Sequence, residues 1–203
     1  MKIVFIRHAE AIERTESIGD EGRYLTPEGR YQFRKTAKTM RNEGLDPNLI
    51  LTSPYLRAVQ TADILAEKIS YVGSLMTVEE LEPGFDLEML KNLVTSYKSV
   101  KELVLVGHEP DLSEIISTLL TLPEGFLMMK GSGVKINVDP EDPCTTASFK
   151  WMVSGRKLIT SEKKLVSSDG LKVDNNEGKE TNDGGKGKQR KGKGEGNGTE
   201  GYF

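Results

Sequence analysis

The run Ile3-Val4-Phe5-Ile6 constrains the fold more than any other stretch of this chain. It is apolar at consecutive positions, rich in β-branched side chains and too short for an ordinary helix, so it reads as a strand built for burial. Polarity then arrives abruptly with Arg7 and His8. The stretch Glu-Leu-Val-Leu-Val-Gly at 102–107 repeats the shape and runs into His108. The sequence has two histidines, and both are predicted to stand at the mouths of such strands.

Helix and strand signals alternate between these runs, which predicts an α/β domain. Thr26 before Pro27 is an N-cap followed by proline at the first helical position. Phe33, Ala37 and Met40 mark the inward stripe of that helix, which Gly44 ends. Residues 48–53 (NLILTS) form a second strand, after which Ser53-Pro54 is expected to cap a helix carrying Val59, Ala62, Leu65 and Ile69. Leu75–Val78 reads as a short edge strand, and Asp86 opens a helix through Leu90 and Val94. Leu112, Ile115, Ile116, Leu119 and Leu120 give the clearest amphipathic period. Val134, Ile136 and Val138, then Ala147, Phe149, Trp151 and Val153, alternate with polar residues and predict a closing pair of strands. The expected architecture is a three-layer α/β/α sandwich with a mostly parallel central sheet.

Composition narrows the function classes. A net charge of −3 gives no global field toward nucleic acid or anionic lipid. The single cysteine, Cys144, excludes an internal disulfide framework and fits a reducing compartment. No stretch approaches the ~18 consecutive apolar residues of a membrane span, and the start of the chain lacks the pattern of a signal peptide, so the expected location is cytoplasmic. From Asp169 the composition turns to Gly, Lys, Glu, Asp and Asn, which cannot bury enough surface to offset ordering the backbone. Residues 1–165 are therefore read as the folded domain and 169–203 as a disordered tail. The tail's basic positions, Lys186, Lys188, Arg190, Lys191 and Lys193, are nearly balanced by flanking acids and read as solvated rather than as a nucleic-acid contact.

In an open α/β sheet, ligands bind in the crevice at the carboxyl ends of parallel strands. Arg7, His8 and His108 are delivered there directly, and Arg57 falls on the first turn of the helix after the second strand. Two arginines and two histidines converging on one crevice make a site for a phosphate dianion, because the planar guanidinium fork donates parallel hydrogen bonds to phosphate oxygens. Glu10 and Glu109 beside the histidines raise the question of a metal. The flanking arginines would repel a divalent cation, and no His-x-His or His-x-x-x-His spacing occurs, so neither metal nor cofactor is expected.

Three segments carry a resemblance. "FIRHAEA" resembles the Arg-His signature of the histidine phosphatase (phosphoglycerate mutase-like) superfamily, "TSPYLRAVQTADIL" its Ser-Pro-x-x-Arg-x-x-x-Thr-Ala segment, and "LVLVGHEPDLSEII" its second-histidine segment. They come in family order across residues 1–120, and the compact length and "RYLTPEG" are most similar to SixA-type phosphohistidine phosphatases; Ala9 stands where the family usually has glycine. The resemblance implies that His8 is the nucleophile, its tautomer fixed by a backbone carbonyl. Arg7, Arg57 and His108 would hold the phosphoryl oxygens, with Arg23 as a further contact at the rim.

Family members acting on alkyl phosphates use a carboxylic acid to protonate the leaving oxygen. Here "EELEPGFD" offers Glu80, with Glu82 or no acid at all as the alternatives. A phosphohistidine substrate depends on such an acid less, since imidazole leaves readily once protonated. About 50 residues separate Arg57 from His108, which leaves no room for a long lid and suits a phosphohistidine displayed on a protein. The expected partner is then a phosphohistidine-bearing protein such as a histidine phosphotransfer domain, with no nucleic acid and no membrane; a monomer is compatible with the sequence. The rivals are the same mechanism on small phosphate esters, or a non-catalytic phosphoprotein-binding module.

Overall fold

A computed structural model describes residues 1–123, 126–143 and 146–165. The tail expected at 169–203 lies outside the described residues. The elements in chain order are β1 (Lys2–Arg7), α1 (Pro27–Asn42), β2 (Leu49–Thr52), α2 (Leu56–Ile69), β3 (Leu75–Thr77), α3 (Leu87–Ser96), β4 (Glu102–Gly107), α4 (Asp111–Leu120), β5 (Gly133–Asn137), β6 (Ser148–Ser154) and β7 (Lys157–Ile159). They build one seven-stranded sheet in the order β3-β2-β4-β1-β5-β6-β7.

Strand alternation sorts the core into two layers. Ile3 and Phe5 of β1 point to the side covered by Leu90 and Val94 of α3 and Leu112 and Ile116 of α4. Val4 and Ile6 point to the other side, against Phe33, Ala37 and Met40 of α1 and Ala58, Ala62 and Leu65 of α2. Both sets are fully or nearly fully buried, which is why β1 shows no polar alternation. Truncating a residue such as Phe5 would cost about 3–5 kcal/mol. The α/β/α sandwich expected from the sequence is the one observed.

The direction of the strands refines that expectation. β1 through β4 are mutually parallel, whereas β5 is antiparallel to β1, β6 to β5 and β7 to β6. The closing pair is thus a closing trio. β7 escapes a periodicity reading because it is three residues long and follows a tight turn through Gly155, whose φ is 59°. Lys135, one of the polar residues alternating along β5, is buried beside the Trp151 ring and pairs with Glu102 at 2.8 Å.

Helix ends follow the expected chemistry with one exception. Thr26 accepts a hydrogen bond from the Gly29 N–H at 2.9 Å, and Asp86 accepts one from Met89 N–H at 2.9 Å. Ser53 does not cap α2. The N-cap is Tyr55, without a side-chain bond, because the Ser53 hydroxyl is committed to the Tyr55 N–H and to His108. Among the described residues, no helix is long and apolar enough to cross a membrane.

Candidate active site

β1 and β4 are adjacent and in register, with Arg7 opposite Gly107, so the two strands end together and bring His8 and His108 side by side. Their ring centroids are 5.2 Å apart. Arg57 reaches them from α2. Its helix buries Ala62 and Leu65 of the expected stripe together with Ala58 and Thr61, while Val59 is half-buried. The buried face is wider than expected and includes Arg57, 4% exposed.

His8 is held at both ring nitrogens. Its Nδ1 lies 2.7 Å from the Ala9 carbonyl oxygen, and Arg57 Nε donates to its Nε2 at 3.2 Å. A proton on Nδ1 and a lone pair on Nε2 satisfy both contacts, so the tautomer follows from the hydrogen bonds. Burial lowers the His8 pKa to about 4; the Ala9 carbonyl opposes the shift, and the positive charges of Arg57, Arg7 and Arg23 deepen it. The imidazole is neutral at pH 7.

The turn carrying His8 is braced from two helices. Thr61 Oγ1 donates to the Arg57 carbonyl at 2.7 Å and accepts from the Ala9 N–H at 3.1 Å, which ties α2 to the β1 exit. From α1, Gly29 packs directly against the next residue along. A Cβ at that position would collide with the Glu10 carbonyl oxygen, which already accepts from Thr26 N–H. The glycine of "TPEG" is required by this close approach.

The β4 side is less fully bonded. His108 Nε2 meets the Ser53 hydroxyl at 2.8 Å, while its buried Nδ1 has no protein partner. The Ser53 hydroxyl accepts from the Tyr55 N–H and can donate its own hydrogen to Nε2; in that tautomer the imidazole proton sits on Nδ1. Burial, then the neighbouring His8 and Arg57, bring the His108 pKa down to about 3. Arg7 donates from one terminal nitrogen to the Met128 carbonyl at 2.6 Å, and its Nε is buried without a partner. Both oxygens of Glu109 are likewise buried without a well-formed hydrogen bond. Burial raises the Glu109 pKa to about 7 against the pull of nearby Ser113 and Arg7.

The structure thus brings Arg7, His8, Arg57 and His108 together. Arg23 does not reach the histidines. Its Nε donates to the Ile12 carbonyl at 2.7 Å and a terminal nitrogen to Asp20 at 2.9 Å. Glu80 is exposed in the turn Glu79–Leu81, where Leu81 is the residue anchored in the core, and it makes no hydrogen bond or ion pair with the four clustered residues. It lines an open groove with Thr77, Val78, Glu79 and Met89. Sequence reasoning gave no role to Asp20 or Thr61, and weighed Glu109 only as a metal ligand. The Arg57-x-x-x-Thr61 spacing of α2 was the available signal for Thr61; for Asp20 there was none. Among the described residues, no group of three or more His, Cys, Asp or Glu side chains is arranged to hold a metal.

The sequence pattern of the histidine phosphatase superfamily (branch 1) matches residues 3–83. An uncharacterized protein of Picosynechococcus sp. is 37% identical over 117 residues, covering 56% of this chain and 70% of that one. This chain belongs to the histidine phosphatase superfamily. It is also similar to the phosphohistidine phosphatase SixA of Escherichia coli, 23% identical over 156 residues that cover 76% of this chain and 94% of SixA. The structure of the protein histidine phosphatase SixA complexed with tungstate matches with a TM-score of 0.67 at 21% identity, covering 76% of this chain and 97% of that one. The superfamily fold therefore extends well beyond the matched pattern, through the antiparallel strands.

Proposed function

We propose that this superfamily member is a metal-independent phosphatase that removes the phosphoryl group from phosphohistidine on another protein, through a phosphohistidine formed at His8. The observation that carries the reading is the presentation of His8: a neutral ring anchored at Nδ1, its Nε2 lone pair facing the Nε–H of a buried arginine.

In the first step the Nε2 lone pair bonds to phosphorus as the phosphorus–nitrogen bond of the substrate breaks. The substrate nitrogen leaves with its electron pair, and the imidazole departs neutral because its other ring nitrogen carries a proton. Water then attacks the phosphoryl group on His8, giving orthophosphate and restoring the lone pair. As phosphorus approaches, Arg57 Nε–H exchanges its hydrogen bond to His8 Nε2 for one to an equatorial oxygen, which frees the lone pair. The donors for those oxygens, whose charge is spread over a loose transition state, are Arg57 Nε, Arg7 Nε and His108 Nδ1. The last two are buried and lack protein partners, and a phosphate oxygen would satisfy both. Guanidinium groups supply the positive charge that a metal supplies elsewhere.

A protein substrate is favoured by what covers the site. Between α2 and β4 the chain spends its residues on the three-residue β3, one short turn and the ten-residue α3, so no helical lid is inserted there. The exposed setting of Glu80 fits a leaving group that needs no carboxylic acid beside it. Turnover of a phosphohistidine protein compared with p-nitrophenyl phosphate tests the reading, together with an alkaline denaturing quench that preserves any phosphoryl group on His8. Faster turnover of the phosphohistidine protein and label on His8 are expected. Preference for the small ester, with loss of that turnover in Glu80→Gln, would replace the protein substrate by a small one; binding without turnover would make the protein a phosphate-binding module.

A further inference from the structure

We infer that Asp20 is a positioning residue of this site: it clasps Arg57 and Arg23 together, so that the Nε edge of Arg57 stays aimed at the nucleophilic nitrogen of His8. The inference rests on the phosphatase reading of His8 and Arg57.

The clasp is made of three contacts at Asp20. Its backbone carbonyl accepts from one terminal nitrogen of Arg57 at 2.6 Å, and its carboxylate accepts from the other at 3.0 Å. The second carboxylate oxygen accepts from Arg23 at 2.9 Å, with Arg14 a further 3.4 Å ion pair from the solvent side. The terminal edge of Arg57 is therefore fully engaged, and only the Nε edge is turned to His8. A cation 4% exposed needs a counter-charge, and Asp20 is its ion-pair partner. Burial pushes the Asp20 carboxyl up, but the hydrogen bonds from Arg23 and Arg57 outweigh it and hold the pKa at about 2. The clasp stays charged through the range in which a phosphatase works.

A carboxylate on an arginine of a phosphate site can instead act as a plug. The geometry separates the two roles. Asp20 makes no hydrogen bond to His8, His108 or Arg7, and Arg7 Nε and His108 Nδ1 remain unpartnered. The carboxylate sits behind Arg57, outside the set of donors that converge on the phosphoryl position. It comes from the turn Asp20–Gly22 in the loop between β1 and α1, tied down by Arg23 to the Ile12 carbonyl.

The test compares wild type, Asp20→Ala, Asp20→Asn, Arg57→Ala and the Asp20→Ala/Arg57→Ala double variant. The readouts are tungstate affinity by calorimetry, turnover of p-nitrophenyl phosphate and a thermal melt. Asp20→Ala is expected to weaken tungstate binding and lower kcat/KM by about 10- to 100-fold. Asp20→Asn, which keeps one acceptor, should lose less. In the Arg57→Ala background the Asp20 change should add almost nothing, because it acts through Arg57. If Asp20→Ala unfolds, Asp20→Asn decides by the same readouts. Wild-type values in the variants, tighter tungstate binding without the carboxylate, or losses that add fully to those of Arg57→Ala would each overturn the clasp. A wild-type protein that neither binds tungstate nor turns over would overturn the phosphatase reading instead.

Discussion

The exits of β1 and β4 look alike in sequence and differ in how they are bonded. Each is an apolar strand ending at a histidine, and the two rings sit 5.2 Å apart. At the β1 exit the nucleophile itself is fully held: both ring nitrogens of His8 have partners, Ala9 and Arg57, and the Ala9 N–H is bound by Thr61. At the β4 exit His108 Nδ1 is buried without one and both Glu109 oxygens lack a well-formed hydrogen bond; on the β1 side the orphan is Arg7 Nε, on the side chain that precedes the nucleophile. A nucleophile needs a fixed tautomer and an aimed lone pair, so its surroundings must be complete before the substrate arrives. An oxyanion donor needs a free N–H, so its surroundings are completed by the substrate. The difference in bonding is a division of labour between the two histidines.

The harshest way to break this comparison is to remove each histidine. His8→Ala should abolish turnover while leaving tungstate affinity within a few-fold of wild type, since Arg7, Arg57 and His108 keep their donors. His108→Ala should weaken both. Residual turnover in the first variant, measured with the phosphohistidine protein, would move the nucleophile elsewhere.

Arg57→Ala removes a donor that spans the two exits and should cost on the order of 3 kcal/mol in kcat/KM. Arg57→Lys should recover little, because an ammonium cannot hold Asp20 and face His8 at once. Thr61→Val loosens the brace of the β1 exit alone. It strands the Ala9 N–H, which should cost about 1–3 kcal/mol of stability in a chemical denaturation and lower kcat, while tungstate affinity, which depends on the arginines, changes less.

His8 and Glu109 should respond to pH in opposite directions. Because the His8 pKa is depressed to about 4, the acid limb of kcat/KM, corrected for substrate ionisation, should fall well below pH 6.5. The unfolded chain takes up the His8 proton more readily, so this group weakens the fold as pH drops from 6.5 toward 4. Glu109, raised to about 7, contributes stability that is present below the usual carboxyl pKa and is lost as pH rises through 7. Melts of wild type and Glu109→Gln at pH 5.5 and 8.5 should show the glutamine variant losing the smaller part of its Tm over that interval. Equal losses would mean the carboxyl is ionised throughout. Addition of a chelator should leave turnover unchanged; inhibition would reopen a metal mechanism.

Much of this was readable beforehand because the signals are local. Thr26-Pro27 announces a helix start on chemistry alone, and an apolar run that halts at Arg-His announces a strand end facing ligand. Arg57 was readable by position but not by burial: Ala62 and Leu65 of the expected stripe are buried, but packing against the sheet widens the buried face to Arg57, Ala58 and Thr61 and leaves Val59 half-buried. Ser53 was misread as a cap because its hydroxyl is spent on His108, a residue 55 positions away. Asp20 lay beyond reach for the same reason. Nothing local distinguishes it from the other acids of its loop; its partner Arg57 is brought to it only by the fold. Buried Lys135 was hidden by alternation, which reports the face of a strand but not what covers that face, here Trp151 and Glu102.

The borders of the sheet carry a consequence for how these molecules meet. Among the described residues, β3 closes one edge and β7 the other, and each is three residues long. An edge strand is a template on which a second chain can extend the sheet, and brevity is one way proteins blunt it. Here both borders are blunted, while the long buried strands β1 and β4 lie at the centre with neighbours on either side. Copies of this protein have little backbone to offer each other for strand exchange or fibre growth.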